Sequence, residues 1–259
     1  MVLEIRAAFL CERIVIKRYM RIALISDIHG NLPALDAALA DIHAAHVDQI
    51  ICLGDIAASG PYPREAVARV RELGCPVIRG NHDDPDWQPP ASTDEKYQFI
   101  GDILQWSHAQ LSEADLTYLR TFPPRLTVPL ANGTTLLCFH GSPHSYDDLI
   151  VGGTSDDDLA CMLAGFDATV MAGGHTHKPL LRRHQGRLFI NPGSVGLAFE
   201  RMEGLGVHKL PWAEYAVLHC ADQTISVEFR RAPFDVAVVK RAALERQMPH
   251  AEWWNSEWS

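Results

Sequence analysis

The chain has 259 residues, enough for a substantial core in one large α/β domain or two small ones. At 47% hydrophobic and 21% charged it is a globular rather than a disordered sequence, and no uninterrupted apolar run approaches the roughly 18–20 residues needed to span a bilayer. The net charge of −9 argues against a broad basic surface for nucleic acid and leaves room only for a locally positive site.

Residues 1–19 mix Glu4, Arg6, Glu12, Arg13, Lys17 and Arg18 with short apolar pieces. They lack the continuous apolar core and small-residue cleavage site of a signal peptide. Met20 stands directly before an apolar run, so residues 1–19 read as an extension and Met20 as a candidate start; a native chain beginning at Met1 would sink that reading. Residues 22–26 form a buried strand. A helix follows over 33–45, opened by Pro33 and carrying Leu35, Ala38, Leu39 and Ile42 at helical spacing. Residues 49–53 are the next strand and 63–73 a helix stopped by Gly74 and Pro76. A third strand is expected over 77–79. This alternation implies right-handed crossovers and a parallel core.

Residues 85–90, with three prolines, are a loop. Helices are predicted over 92–108 and 112–120, the second opened by Ser112 and Asp115 in the manner of a capping box. Strands over 126–130 and 135–139 form a hairpin about Asn132-Gly133. A helix over 155–163 begins with three aspartates, as suits a helix N-terminus. Residues 168–172 are a buried strand, and 180–183 with 187–190 a hairpin about Gln185-Gly186. Asn191-Pro192-Gly193-Ser194 turns the chain; strands at 215–218 and 225–230 and a last helix over 236–247 follow. The tail holds Trp253, Trp254 and Trp258, which either fold back on the chain's own core or serve as a dimer surface or lid. No repeat or linker divides residues 20–259, so they read as one domain. Six scattered cysteines without a C-x-x-C pair suit reduced core thiols and a cytoplasmic location.

The chemistry-bearing residues stand where apolar runs stop. Asp27 and His29 follow the first run, Asp55 the second, and Asn81 with His82 and Asp83 the third; His140, His175 and His177 follow later ones. In open α/β sheets such positions share one edge, beyond the carboxyl ends of the strands. Mixed imidazole and carboxylate donors suit Mn²⁺, Fe or Zn²⁺ better than Ca²⁺ or Mg²⁺ alone. Seven donors are too many for one open catalytic ion, whereas two ions sharing a carboxylate would use them all, an arrangement that phosphoryl hydrolysis exploits.

Asp27-Ile-His29-Gly-Asn31, Gly54-Asp55, Gly80-Asn81-His82-Asp83, His140 and Gly174-His175-Thr-His177 resemble the motifs of calcineurin-like metallophosphoesterases, over roughly residues 21–195. Asn191-Pro-Gly-Ser194 is similar to the loop after the last motif in small bacterial members. The resemblance implies an α/β sandwich of two facing mixed sheets flanked by helices. It implies two divalent transition-metal ions, Mn²⁺ foremost with Fe, Zn²⁺ or Ni²⁺ as alternatives. Asp27, His29 and His177 would hold one ion, Asn81, His140 and His175 the other, with Asp55 bridging. His82 would face the leaving group or a phosphate oxygen as a catalytic imidazolium oriented by Asp83, Asn81 and His82 lining the substrate site. Asn31 would fix the Asp27 loop. His144 reads as a loop residue, with a substrate contact as the alternative.

The implied reaction is in-line attack on phosphorus by a hydroxide bridging the two ions, at a centre of about +1 charge that attracts an anion to an acidic protein. Residues 54–63 carry no arginine, unlike the matching loop of the protein serine/threonine phosphatases of this superfamily. A phosphodiester is therefore expected alongside monoesters, as a small substrate without membrane or nucleic acid, and a homo-oligomer is open. The other readings are a non-catalytic metal-binding scaffold for protein interactions and, weakened by the acidic balance, a nuclease.

Overall fold

The computed structural model describes residues 19–88, 93–131, 133–202, 206–222 and 224–258. Residues 1–18, and with them nearly all of the expected extension, lie outside the described residues, as do Ser92 at the expected helix start and Asn132 in the expected hairpin turn. In chain order the elements are β1 (Tyr19–Ile25), α1 (Leu32–Ala44), β2 (Gln49–Cys52), α2 (Pro63–Leu73), a 3-10 turn (Asn81–Asp83), α3 (Glu95–Ala109) and α4 (Glu113–Arg120). Then come β3 (Leu126–Pro129), β4 (Thr135–Cys138), α5 (Asp156–Met162), β5 (Val170–Ala172), β6 (Leu180–His184), β7 (Arg187–Asn191), β8 (Phe199–Met202) and β9 (Gly206–Lys209). The long strands β10 (Trp212–Ala221) and β11 (Thr224–Pro233) precede α6 (Val236–Glu245) and α7 (Ala251–Ser256).

Alternation along β1 sets the layering. Ile22 and Leu24 point to one side, Ala23 and Ile25 to the other, and all four are fully buried. Ile22 and Leu24 meet Leu136, Cys138, Val170, Ala172 and Ile190 of a second sheet, so the two sheets face each other. Ala23 and Ile25 meet Leu35 and Ala38 of α1 and Val67 of α2, which cover the outer side. On the far side of the second sheet, Leu137, Phe139 and Met171 pack on Leu159 of α5. The first sheet has the order β11-β10-β1-β2 and the second β3-β4-β5-β7-β6. Both are mixed: β1 pairs parallel with β2 and antiparallel with β10, and β4, β5 and β7 run parallel beside antiparallel neighbours. The helix–sheet–sheet–helix sandwich is the expected one.

Three local expectations need correction. Residues 77–79 are not a strand: Val77 makes one parallel bridge to Cys52, after which the Arg79 N–H donates to Pro123 O at 2.9 Å and peels the chain from β2. The β8–β9 hairpin was not anticipated, because Glu200 and Arg201 side by side break the period-two pattern that marks a strand. The last helix ends at Glu245, and the tail forms a further helix, α7. Trp254 and Trp258 are buried against Ile103, Leu197, Val239 and Met248, so the tail does fold back on the chain's own core. Among the described residues no helix is long and apolar enough to cross a membrane.

The carboxyl ends of β1, β2, β4 and β5 are tied together by their loops. Asp27 N–H donates to Gly54 O at 3.0 Å, His29 N–H to Asp55 O at 3.0 Å, and Gly174 N–H to His140 O at 2.8 Å. The 192–196 loop closes the set, Val195 and Gly196 donating to Ser26 O and Asp27 O.

Candidate metal centre

Five of the seven expected donors sit in left-handed backbone: Asp27 (φ 55°), His29 (48°), Asp55 (57°), His175 (68°) and His177 (56°). Non-glycine residues rarely adopt this region, although Asp and His tolerate it better than most. Each instance costs on the order of 1 kcal/mol, and such strain persists only where surrounding contacts over-determine it. The loop-to-loop hydrogen bonds supply that constraint, and the left-handed turns aim successive side chains into one pocket.

Three imidazoles are oriented in the same way. His29 Nδ1 lies 2.9 Å from Ala58 O, His140 Nδ1 2.7 Å from Leu53 O and His177 Nδ1 2.9 Å from Leu197 O. A carbonyl can only accept, so each Nδ1 carries the proton and each Nε2 of the neutral ring offers a lone pair. Those lone pairs converge. His29 Nε2 and His177 Nε2 are 2.9 Å apart, and Asp27 Oδ1 lies 3.3 Å from His177 Nε2 and 3.7 Å from His29 Nε2. Asp55 Oδ2 stands 3.4 Å from His140 Nε2 and 3.7 Å from His29 Nε2. Asp27 Oδ1 is buried without a hydrogen-bond partner among the described residues. Converging acceptors with no donor between them repel unless a cation lies at their centre, so the residues fit a metal ion.

The electrostatics agree. Burial alone would raise the Asp27 and Asp55 carboxyls, but the facing imidazoles, chiefly His177 and His140 respectively, hold both below the usual carboxylate range. Burial lowers His140, yet Asp55 and Asp27 outweigh it and push the ring up to about 10; His29 is raised in the same way. The cluster therefore demands positive charge, from protons or from divalent ions.

The other expected residues are placed as follows. Asn81 Oδ1 is 3.0 Å from His140 Nε2. His175 donates its backbone N–H to Asp27 Oδ2 at 3.0 Å, and its ring stands beside that of His140, centroids 5.2 Å apart. His82 Nδ1 is 3.6 Å from Asp55 Oδ2, its ring against Trp87 and His29. Burial pushes the His82 imidazole down to about 3, so in the metal-free site the neutral ring is favoured over the expected imidazolium. Asp83 does not orient the His82 ring directly: its carboxylate accepts from the backbone N–H groups of Asp55, Ile56 and Gly80 at 2.8–2.9 Å. It positions His82 only through the 3-10 turn. Burial and Asp55 raise the Asp83 carboxyl to about 6. Asn31 fixes the Asp27 loop as expected, capping α1 at Ala34 N and donating to Gly196 O. His144 lies in a loop, 2.8 Å from Ala164 O.

Sequence reasoning did not single out Asn191 and Ser194 individually. Asn191 Nδ2 donates to Gly174 O, and Ser194 Oγ to Asp27 O, so the Asn-Pro-Gly-Ser turn buttresses two ligand loops at once. Gly174 shows how tightly the loops close. A methyl group there would overlap Ser26 Oγ and lie 2.8 Å from Asp27 Oδ2. Gly174→Ala is expected to displace the His175–His177 loop and weaken metal binding roughly 10- to 100-fold while the chain still folds. A metal titration followed by calorimetry checks this; wild-type affinity in the variant would refute it.

Residues 20–223 match the family model described as the calcineurin-like phosphoesterase superfamily domain. The chain is 26% identical over 254 residues to protein MJ0912 of Methanocaldococcus jannaschii, covering 90% of this chain and 94% of that protein. It is similar to the crystal structure of a metallophosphoesterase from Sphaerobacter thermophilus, at 29% identity and TM-score 0.70, over 92% of this chain and 97% of that one. Protein PH1004 of Pyrococcus horikoshii, at 22% identity and TM-score 0.74 over 89% and 94% of the two chains, shares the fold. A sandwich whose strand ends gather imidazole and carboxylate lone pairs, matched over most of its length, belongs to the calcineurin-like phosphoesterase superfamily.

Proposed function

We propose that this protein hydrolyses a small phosphoester at a dinuclear metal centre. The observation that carries the reading is the convergence of Asp27, His29, Asp55, His140 and His177 with their lone pairs facing inward. Asp27, His29 and His177 hold one ion and Asn81, His140 and His175 the other. Asp55 serves both, since its Oδ2 stands between His29 and His140 while its Oδ1 is fixed by the His82 N–H at 2.9 Å. Bound divalent cations, Mn²⁺ foremost with Fe, Zn²⁺ or Ni²⁺ as alternatives, supply Lewis-acid polarisation of phosphoryl oxygen and a water acidic enough to attack near neutral pH. His82 hydrogen-bonds the departing oxygen, and Asn81 keeps its side chain between ligand and substrate. Asp83 holds the 3-10 turn that presents both. Residues 20–259 act as one domain, an assignment supported by the packing of α7 on α3 and α6.

Without an arginine in the 54–63 loop, positive charge at the phosphate comes mainly from the ions, which suits a diester with a single negative charge as well as a monoester. The test compares bis-p-nitrophenyl phosphate with p-nitrophenyl phosphate, with Mn²⁺ and after chelation. Mn²⁺-dependent release of nitrophenolate from at least one ester is expected, with the diester hydrolysed at a rate comparable to or above the monoester. Turnover of neither ester with any divalent metal would overturn the reading.

A further inference from the structure

A cavity of about 290 Å³ opens directly onto the metal centre, with His29, His82 and His177 at its inner end. Its outer walls are built by three pieces distant in sequence: Tyr97 on α3, Phe199 and Arg201 on β8, and Trp253, Trp254 and Glu257 on and just after α7. The last three lie past residue 223, where the match to the family model ends. The volume is at the small end of ordinary ligand pockets and suits one flat, ring-sized group rather than a macromolecule.

The walls choose among small groups. Four aromatic side chains offer faces and edges to a planar ring. The chamber is nevertheless not uniformly apolar. Lys209 lines it with its ammonium over the Trp254 ring, 4.0 Å from the centroid, and pairs with Glu257 Oε2 at 3.0 Å. The Lys209 side chain is 7% exposed, whereas that of Glu257, which also lines the cavity, is 21% exposed. An alkyl chain would cover this carboxylate without returning a hydrogen bond, at a cost in desolvation. A heteroaromatic ring with an N–H on its edge would both stack and donate. At the mouth, Lys96 and Arg201 place two cations on an otherwise acidic protein. Lys96 pairs with Asp94 at 2.7 Å, whereas among the described residues no acidic side chain lies within ion-pair distance of Arg201.

We propose that this chamber seats one ester group of the substrate and that the group is a nucleoside. Its base stacks on Trp253, Phe199 and Tyr97, Glu257 accepts from the edge of the base, and Arg201 donates to a carbonyl oxygen of the base. The assignment rests on the phosphoesterase reading above and narrows it to nucleotide esters.

The test uses the Mn²⁺-loaded full chain and three esters with the same leaving group: thymidine 5′-monophosphate p-nitrophenyl ester, methyl p-nitrophenyl phosphate and octyl p-nitrophenyl phosphate. The nucleoside ester is expected to show a kcat/KM at least tenfold above the other two. Arg201→Ala, at an exposed site, and Trp253→Ala should each lower the nucleoside-to-methyl ratio at least fivefold. An independent readout is quenching of tryptophan fluorescence by thymidine 5′-monophosphate, weakened at least fivefold in Arg201→Ala. Preference for the octyl ester, equal turnover of all three, or an unchanged ratio in both variants overturns the chamber assignment while leaving phosphoester hydrolysis intact. If no ester turns over but the nucleotide still quenches in an Arg201-dependent way, the chamber stands as a nucleotide site and the hydrolytic reading falls.

Discussion

His82→Ala is expected to lower kcat by about 10²- to 10⁴-fold while both ions remain bound, the loss typical of a positioned ring N–H that hydrogen-bonds the departing oxygen. The ring is held without being committed. Its backbone N–H is fixed on Asp55 Oδ1, and its carbonyl accepts from His108 Nε2 at 2.9 Å. The ring packs on Trp87, centroids 4.6 Å apart, and lines the cavity. Nδ1 is buried without a hydrogen-bond partner among the described residues. An imidazole so placed has a group to spare for substrate. The competing arrangement is also visible in the geometry, because His82 stands within ligand distance of a site made with His29 and Asp55. Metal analysis beside steady-state kinetics separates the two. If the variant binds one ion fewer than wild type, His82 is a ligand and its proposed role fails.

Chelated protein is expected to lose stability steeply as pH rises above about 6.5, and divalent ions are expected to abolish that slope. The sign follows from His140. Its imidazole is pushed up to about 10 in the folded chain, against about 6.5 in the unfolded one. Between those values the folded state keeps a proton that the unfolded state has shed, so the stabilisation is complete below 6.5 and is lost on the way to 10. His29, also raised, adds in the same direction.

Below 6.5 the balance turns. His82, pushed down to about 3, refuses a proton that the unfolded chain accepts, so stability falls with falling pH. Asp83, raised to about 6, offsets part of that fall between about pH 4 and 6. The Asp27 and Asp55 contributions, present above about 4, are lost as pH falls further through their depressed values. The metal-free protein should therefore be most stable near pH 6.5. A few kcal/mol on the alkaline arm corresponds to a drop on the order of 10 °C in Tm between pH 7 and 9.5. Calorimetry in EDTA and in Mn²⁺ checks it: a flat or rising Tm over that range in EDTA would show that the cluster does not depend on protons when metal is removed. Proton release on adding Mn²⁺ at pH 7.5 is the companion signal, since His140 and His29 must give up their protons to bind it.

Much of this molecule is written locally. Buried strands announce themselves as apolar runs, and each run that stops at Asp27, Asp55, His140 or Gly173 marks a strand end on one edge, so order and spacing alone placed the candidate ligands together. The helices opened by Pro33, Pro63 and Ser112 were equally legible, because capping and helical periodicity are properties of neighbouring residues. What failed was decided by partners far along the chain. Residues 77–79 have the composition of a strand, but Arg79 bonds Pro123 rather than β2. Asp83 sits next to His82 in sequence yet spends its carboxylate on Asp55 and Ile56, because a left-handed turn at Asp55 presents those N–H groups to it. The cavity proposed to seat the substrate was invisible for the same reason. Tyr97, Arg201 and Trp253 carry no shared spacing or period, and only the folding of α3, the β8–β9 hairpin and α7 over one end of the sandwich brings them to a common cavity. Sequence by itself therefore determined which residues are candidates to hold a metal, because they lie in contiguous motifs at strand ends. Tertiary structure alone decided what Asp83 and Asn191 bond and which side chains line the cavity, since those depend on long-range packing that no local pattern encodes.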